Sequence, residues 1–192
     1  MTTRTAPAKV GQLFIDRWSP RAFDESEIPQ DDLDAIFAAA GLAPSAFNYQ
    51  PWKFLYARRG DANWARFLSL LVPFNQSWAK DAGVLVFIVS DTKNRSGETP
   101  TDFYSHSFDA GAAWAQMALQ ASLLGYHTHG MTGLEFDQAR AELALPEDIR
   151  LEAAVAIGRR ADPSRLPEGL REREAPSPRK PLDEIAFAGS YR

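Results

Sequence analysis

The chain has 192 residues, 45% of them apolar, with five Trp, twelve Phe, no Cys and a formal net charge of −4. That length holds one sizeable core and is short for two, so a single domain over 1–192 is expected. Without Cys there are no disulfides, thiolate metal sites or cysteine nucleophiles, the acidic balance argues against a nucleic-acid binder, and no run approaches the ~18 apolar residues of a membrane span. The first nine residues also lack the apolar stretch of a signal peptide, which predicts a cytoplasmic protein with no membrane partner.

Val10, Leu13 and Phe14 recur at helical spacing and lead into Arg17-Trp18-Ser19-Pro20-Arg21. This segment offers two guanidinium groups and a hydroxyl at alternate positions, a set suited to an anionic, planar, hydrogen-bonding ligand. On spacing alone, a solvated helix end with its arginines paired to Asp16, Asp24 or Glu25 is the plainer reading. Leu33, Ile36, Phe37 and Ala40 predict a helix over 30–42, favoured by Asp31 and Asp32 at its start and ended by Gly41 and Pro44. The loop Pro44-Ser45-Ala46-Phe47-Asn48-Tyr49-Gln50-Pro51 then runs into a strand over 52–57, with Trp52 in the core.

Residues 63–71 read as a helix, and Asn75-x-x-Trp78-Ala79-x-x-Ala82 as another with a polar residue at its start. The β-branched and aromatic run 83–89 predicts a strand covered on both faces, at the centre of a sheet. Residues 94–100 are polar and turn-rich and are expected to form a mobile surface loop. An alanine-rich helix follows over 108–124, with Phe108, Ala112, Ala115, Leu119 and Ser122 along one stripe and Ala113, Met117 and Gln120 nearby, so that several faces are expected to be buried. A short segment over 126–131, a helix over 137–143 and a strand over 151–157 complete an α+β or α/β pattern. Beyond Gly158, five prolines punctuate a charged tail, 159–192, that cannot build its own core and is expected to wrap a surface. Arg159, Arg160 and the run 171–174 read as solvated charge.

Dinucleotide, P-loop, zincin and nucleophile-elbow motifs are absent, and His106, His127 and His129 lack ligand spacing with acids, so no metal site is expected. The two segments Arg17-x-Ser19-x-Arg21 and Pro44 to Trp52 resemble the flavin-binding signature of the nitroreductase family, and the resemblance extends from Leu13 to Phe187. It implies an α+β fold, an α/β/α sandwich whose mostly antiparallel central sheet is flanked by helices. It also implies a homodimer in which the tail embraces the partner. FMN would be the cofactor and NADH or NADPH the donor. Hydride would pass through flavin N5 to a small electrophile (a nitroaromatic, quinone or free flavin) in a ping-pong mechanism, with no catalytic side chain.

By the same resemblance Arg17 would neutralise the 5′-phosphate and Ser19 would bond ribityl or phosphate oxygens. Arg21 would face the N1–O2 edge, where a fixed cation raises the flavin's electron affinity. Pro44, Ser45, Ala46 and Asn48 would reach FMN on the neighbouring subunit, Ala46 standing where a second serine is usual. Asn75 would bond the pyrimidine edge, and the backbone of Thr132 and Gly133 would approach N5 and O4, the glycine permitting that approach. Thr132 stands where some relatives have an acid, which leaves water or Thr132 to supply the proton. Arg179 would reach the phosphate, with Ser177 where a lysine is common. Phe47 and Tyr49 either line the substrate side or pack. Two alternatives stay open: a flavin-binding relative with other chemistry (dehalogenation, dehydrogenation or flavin breakdown), and a non-enzymatic binding protein.

Overall fold

A computed structural model describes Arg4 and residues 6–191. In chain order its elements are α1 Gln12–Asp16, α2 Gln30–Gly41, β1 Trp52–Arg58, α3 Trp64–Ser69, α4 Pro73–Ala79, β2 Val84–Asp91, β3 Lys93–Asn94, β4 Thr101–Asp102, α5 His106–Leu123, β5 His127–Met131, α6 Phe136–Glu142, β6 Ile149–Gly158 and α7 Glu168–Arg171. Four strands form a sheet in the order β1-β2-β6-β5, with every neighbouring pair antiparallel.

The apolar run in β2 is buried throughout because helices cover both faces of the sheet. Leu85, Phe87 and Val89 join Phe67, Trp78 and Leu151 on one side; Val84, Val86 and Ile88 join Leu33 and Ile36 of α2 and Met117 of α5 on the other. Each large side chain so buried contributes about 1.5–3 kcal/mol. Pairing of β2 with β6 slips between Ile88 and Val89, whose partners are Ala153 and Leu151, so Glu152 is an extra residue in a β-bulge.

The long helix departs from its expected face. Its buried positions are Asp109, Ala110, Ala113, Met117, Ala118 and Ala121, while Phe108 is 81% exposed. Alanine on nearly every side leaves the sequence without a decisive apolar stripe, and packing against α2 and the sheet selects the face.

Two more segments differ in detail from expectation. Lys93-Asn94 pairs with Thr101-Asp102, so the polar loop is the exposed tip of a two-stranded ribbon. In the Pro-rich segment, Ala161 donates its N–H to Ala22, and Leu166 and Leu170 are buried in the core, so residues up to Glu174 lie on the chain's own body. Leu182, Ile185 and Tyr191 beyond them are exposed. The 171–174 run is not simply solvated: the Glu174 carboxylate accepts N–H bonds from Arg21 at 2.8 Å and Ala22 at 3.0 Å. Arg159 and Arg160 lie over the rings of Tyr126 and Trp18.

Candidate functional site

The segment after α1 is extended, so its side chains alternate. Trp18, Pro20 and Ala22 turn into the core, and Arg17, Ser19 and Arg21 turn the other way and stay half-buried. Arg17 and Ser19 thereby enter a cleft of about 530 Å³. Its remaining walls are Phe14, then Trp114, Ala115, Ala118 and Leu119 of α5, Gly130, Met131 and Thr132 at β5, and Ala153 of β6. Small side chains on α5 keep one wall low. Gly130 sits close under the indole across from it, where a Cβ would lie a tight 3.1 Å from Trp114 Cζ2.

Ser19 also lines a second pocket of about 190 Å³ whose walls carry Arg4, Arg21, Arg173 and Arg179. Arg4 ties this corner together: its guanidinium donates to the carbonyls of Arg17 at 2.5 Å, Ile15 at 3.2 Å and Ser177 at 3.1 Å. Among the described residues Arg4, Arg17 and Arg179 make no ion pair with a carboxylate. Burial lowers the pKa of Arg17, and the neighbouring charges of Arg4 and Arg179 lower it further. In a chain of net charge −4, such unneutralised cations make a local anion site. Arg21 is similarly lowered by burial, countered by Glu174, and its Nε is buried without a hydrogen-bond partner.

Arg21 rests on Trp78, its Cζ 5.9 Å from the ring centre, and His129 packs on the same indole at 4.6 Å. His129 Nδ1 donates to the Pro20 carbonyl at 3.0 Å, which pins the extended segment to β5. Burial depresses the His129 pKa from 6.5 to about 4, a drop the bond to Pro20 opposes and the Arg21 charge assists. The unfolded chain therefore takes up a proton near pH 6.5 that the folded chain refuses until about pH 4. Stability present above pH 6.5 is lost as pH falls through that window, by about 3 kcal/mol at its lower end. Denaturant unfolding of wild type and His129→Asn at pH 7.5 and 4.5 checks this: the acid loss is expected to be smaller in the variant, and equal losses would contradict it.

Asn75 is buried at the start of α4 and donates to the Gly133 carbonyl at 3.0 Å. A Cβ on Gly133 would stand 2.7 Å from Asn75 Nδ2 and 3.0 Å from Val72 Cγ2. A side chain at 133 would therefore displace the Asn75 amide from its bond to the Gly133 carbonyl.

Pro44, Ser45, Ala46 and Asn48 line neither pocket. Their loop is strained: Phe47, Asn48 and Gln50 all have φ between 53° and 54°. It is held by the Ser45 hydroxyl accepting from Gln50 N–H at 3.0 Å and by Asp109 accepting from Ala46 N–H at 3.1 Å. Strain of this kind concentrates at functional sites. Phe47 is 94% exposed in the single chain, whereas Tyr49 packs on Phe103 and donates to the Lys93 carbonyl at 2.8 Å.

Of the sequence-derived set, the structure brings Arg17, Ser19 and Thr132 into the cleft and Ser19, Arg21 and Arg179 into the cationic pocket. Asn75 and Gly133 form a separate pair, and the 44–48 loop stands apart. Arg4 and Arg173 were missed; nothing local marks them, because the fold alone brings them to Ser19.

A family model described as Nitroreductase family matches residues 15–159. A crystal structure of an oxidoreductase containing FMN superposes with a TM-score of 0.96 at 48% identity, covering 98% of this chain and 96% of that one. The CLA biosynthesis enone reductase of Lactiplantibacillus plantarum is 26% identical over 188 residues, 79% of this chain and 86% of the relative. The NADH dehydrogenase of Thermus thermophilus is 28% identical over 203 residues, 90% and 92% of the two chains.

Proposed function

The chain belongs to the nitroreductase family, and from that premise we propose that it is an FMN-dependent oxidoreductase that passes hydride from NADH or NADPH to a small electrophile such as a nitroaromatic, quinone or free flavin. The observation that carries this reading is the junction at Ser19 of a low-walled apolar cleft and an anion pocket whose Arg4 and Arg179 form no ion pair among the described residues. A phosphate monoester fits the first part and a fused aromatic ring the second. The buried, unpaired Nε of Arg21 fits an acceptor atom of the same molecule.

The bound flavin supplies hydride transfer between donor and acceptor in two alternating half-reactions. Arg17 and Arg179, joined by Arg4, hold the phosphate, and Ser19 bonds phosphate or ribityl oxygens. Arg21 faces the N1–O2 edge, where its charge favours the reduced form. Asn75 gives one N–H to Gly133, and its amide oxygen accepts from the pyrimidine edge. The Thr132 and Gly133 backbone borders N5 and O4.

A second copy of the chain completes the site, contributing Pro44, Ser45, Ala46 and Asn48. The exposed Leu42, Phe47 and Phe108, and the tail beyond Glu174, are the surfaces this homodimer covers. Among the described residues no helix is long and apolar enough to cross a membrane, and a cytoplasmic location with a ready NAD(P)H supply suits the reaction.

Initial rates of NADH oxidation by FMN-loaded protein, measured against varied quinone, test the reading. Parallel double-reciprocal lines are expected for two alternating half-reactions. Intersecting lines would contradict the ping-pong order, and the absence of acceptor-dependent oxidation would contradict the activity.

A further inference from the structure

The anion pocket at Ser19 is walled by two stretches that lie far apart in the sequence, and each turns alternate residues inward. Ser19 and Arg21 come from the first; Arg173, Ala175, Ser177 and Arg179 come from the second. Glu174 falls on the other side of the second stretch, where it lines a neighbouring cavity of about 560 Å³ and not the anion pocket. Arg173 is exposed and, like Arg179, forms no ion pair among the described residues.

The Glu174 carboxylate joins the two stretches. Oε1 accepts from the N–H of Arg21 at 2.8 Å and of Ala22 at 3.0 Å, and Oε2 accepts from the N–H of Arg21 at 3.1 Å. Hydrogen bonds to an ionised carboxylate are roughly twice as strong as those between neutral groups. A second tie runs from Arg4 Nε to the Ser177 carbonyl at 3.1 Å. Arg179 itself donates to the carbonyls of Ser177 at 3.2 Å and Pro178 at 3.1 Å, bonds within its own stretch that do not hold it against the body. Burial disfavours the charged Arg21 guanidinium, Glu174 favours it and Arg173 disfavours it, so the carboxylate charge is felt at the pocket. A negative charge there opposes an incoming anion. Its bonds to the Arg21 and Ala22 backbone, by contrast, serve the pocket directly, because they bring its two walls together.

Building on the flavin reading above, we propose that Glu174 is a positioning residue for the FMN phosphate: by clamping residues 173–179 to the Arg21 and Ala22 backbone it delivers Arg173, together with Arg179, to that phosphate. Arg173 is then a further phosphate-binding residue, and Glu174 acts through the two arginines without touching the ligand.

The test measures dissociation constants for FMN and for riboflavin, which lacks the phosphate, by fluorescence titration of the 192-residue chain. Glu174→Ala is expected to weaken FMN binding by about 10-fold or more and riboflavin binding by less than about 2-fold, because only the phosphate loses charge-assisted partners. Glu174→Gln keeps an oxygen for both N–H groups and drops the opposing charge, so its FMN affinity is expected to stay within about 3-fold of wild type. In protein carrying Arg173→Ala and Arg179→Ala, adding Glu174→Ala is expected to cause no further loss, since the groups it positions are gone. Equal weakening of both flavins by Glu174→Ala marks a general structural loss and overturns the proposal. It is equally overturned by FMN affinity that Glu174→Ala leaves unchanged, by tighter FMN binding in both Glu174 variants, by a Gln variant as weak as the Ala variant, or by an undiminished loss in the arginine-free background. Wild type that binds neither flavin overturns the flavin reading and the proposal with it; wild type that prefers FMN while any of those outcomes holds overturns the proposal alone.

Discussion

Trp78→Ala is expected to destabilise the protein by about 3–5 kcal/mol, the usual cost of emptying a large aromatic site. Trp78 is 1% exposed and stands between Phe23, His129 and the Arg21 guanidinium. Its removal opens a cavity under the two residues that fix the anion pocket, so FMN affinity is expected to fall together with stability. Trp78 Nε1 is buried without a hydrogen-bond partner, so Trp78→Phe, which deletes that orphan and keeps a ring, is expected to recover most of the loss. Equilibrium urea unfolding of the two variants checks both statements. A loss below ~1 kcal/mol for Trp78→Ala would mean that the site collapses and refills.

Arg17→Ala is expected to weaken FMN binding by roughly 10- to 100-fold, since a charge-assisted hydrogen bond to a phosphate is worth about 1.5–3 kcal/mol. The residue caps α1 and turns into the cleft, and it pairs with no carboxylate among the described residues, so its loss leaves the helix and core contacts in place. Arg17→Lys should fall between the two, because an ammonium keeps the charge and loses the planar fork. Fluorescence titration of FMN at two ionic strengths measures the effect, and the gap between wild type and Arg17→Ala should narrow at the higher salt. Equal affinities at both would exclude Arg17 from the phosphate site.

How legible the site was depended on whether a signal lay within a few residues. Arg17, Ser19 and Arg21 alternate along an extended stretch, and alternation alone places them on one side of it. The central strand was equally open to reading, because β2 is apolar on both faces and only a twice-covered strand needs that. Glu174 was not, since its carboxylate reaches the Arg21 N–H across a separation of 153 positions. The Glu152 bulge depends on the register between two strands, which neither strand encodes by itself. The closeness of Asn75 to Gly133 was also hidden, since the two stand 58 positions apart. In α5, alanine on several sides concealed which face is buried.

Titration of the purified 192-residue chain with FMN, followed by addition of NADH under anaerobic conditions, tests the central claim most directly. Stoichiometric binding with the visible absorption of an oxidised flavin, bleached by NADH and restored by a quinone, is the result expected of a flavin site at Arg17, Ser19 and Arg179. A folded chain that binds no FMN, or binds it without bleaching, would contradict that claim.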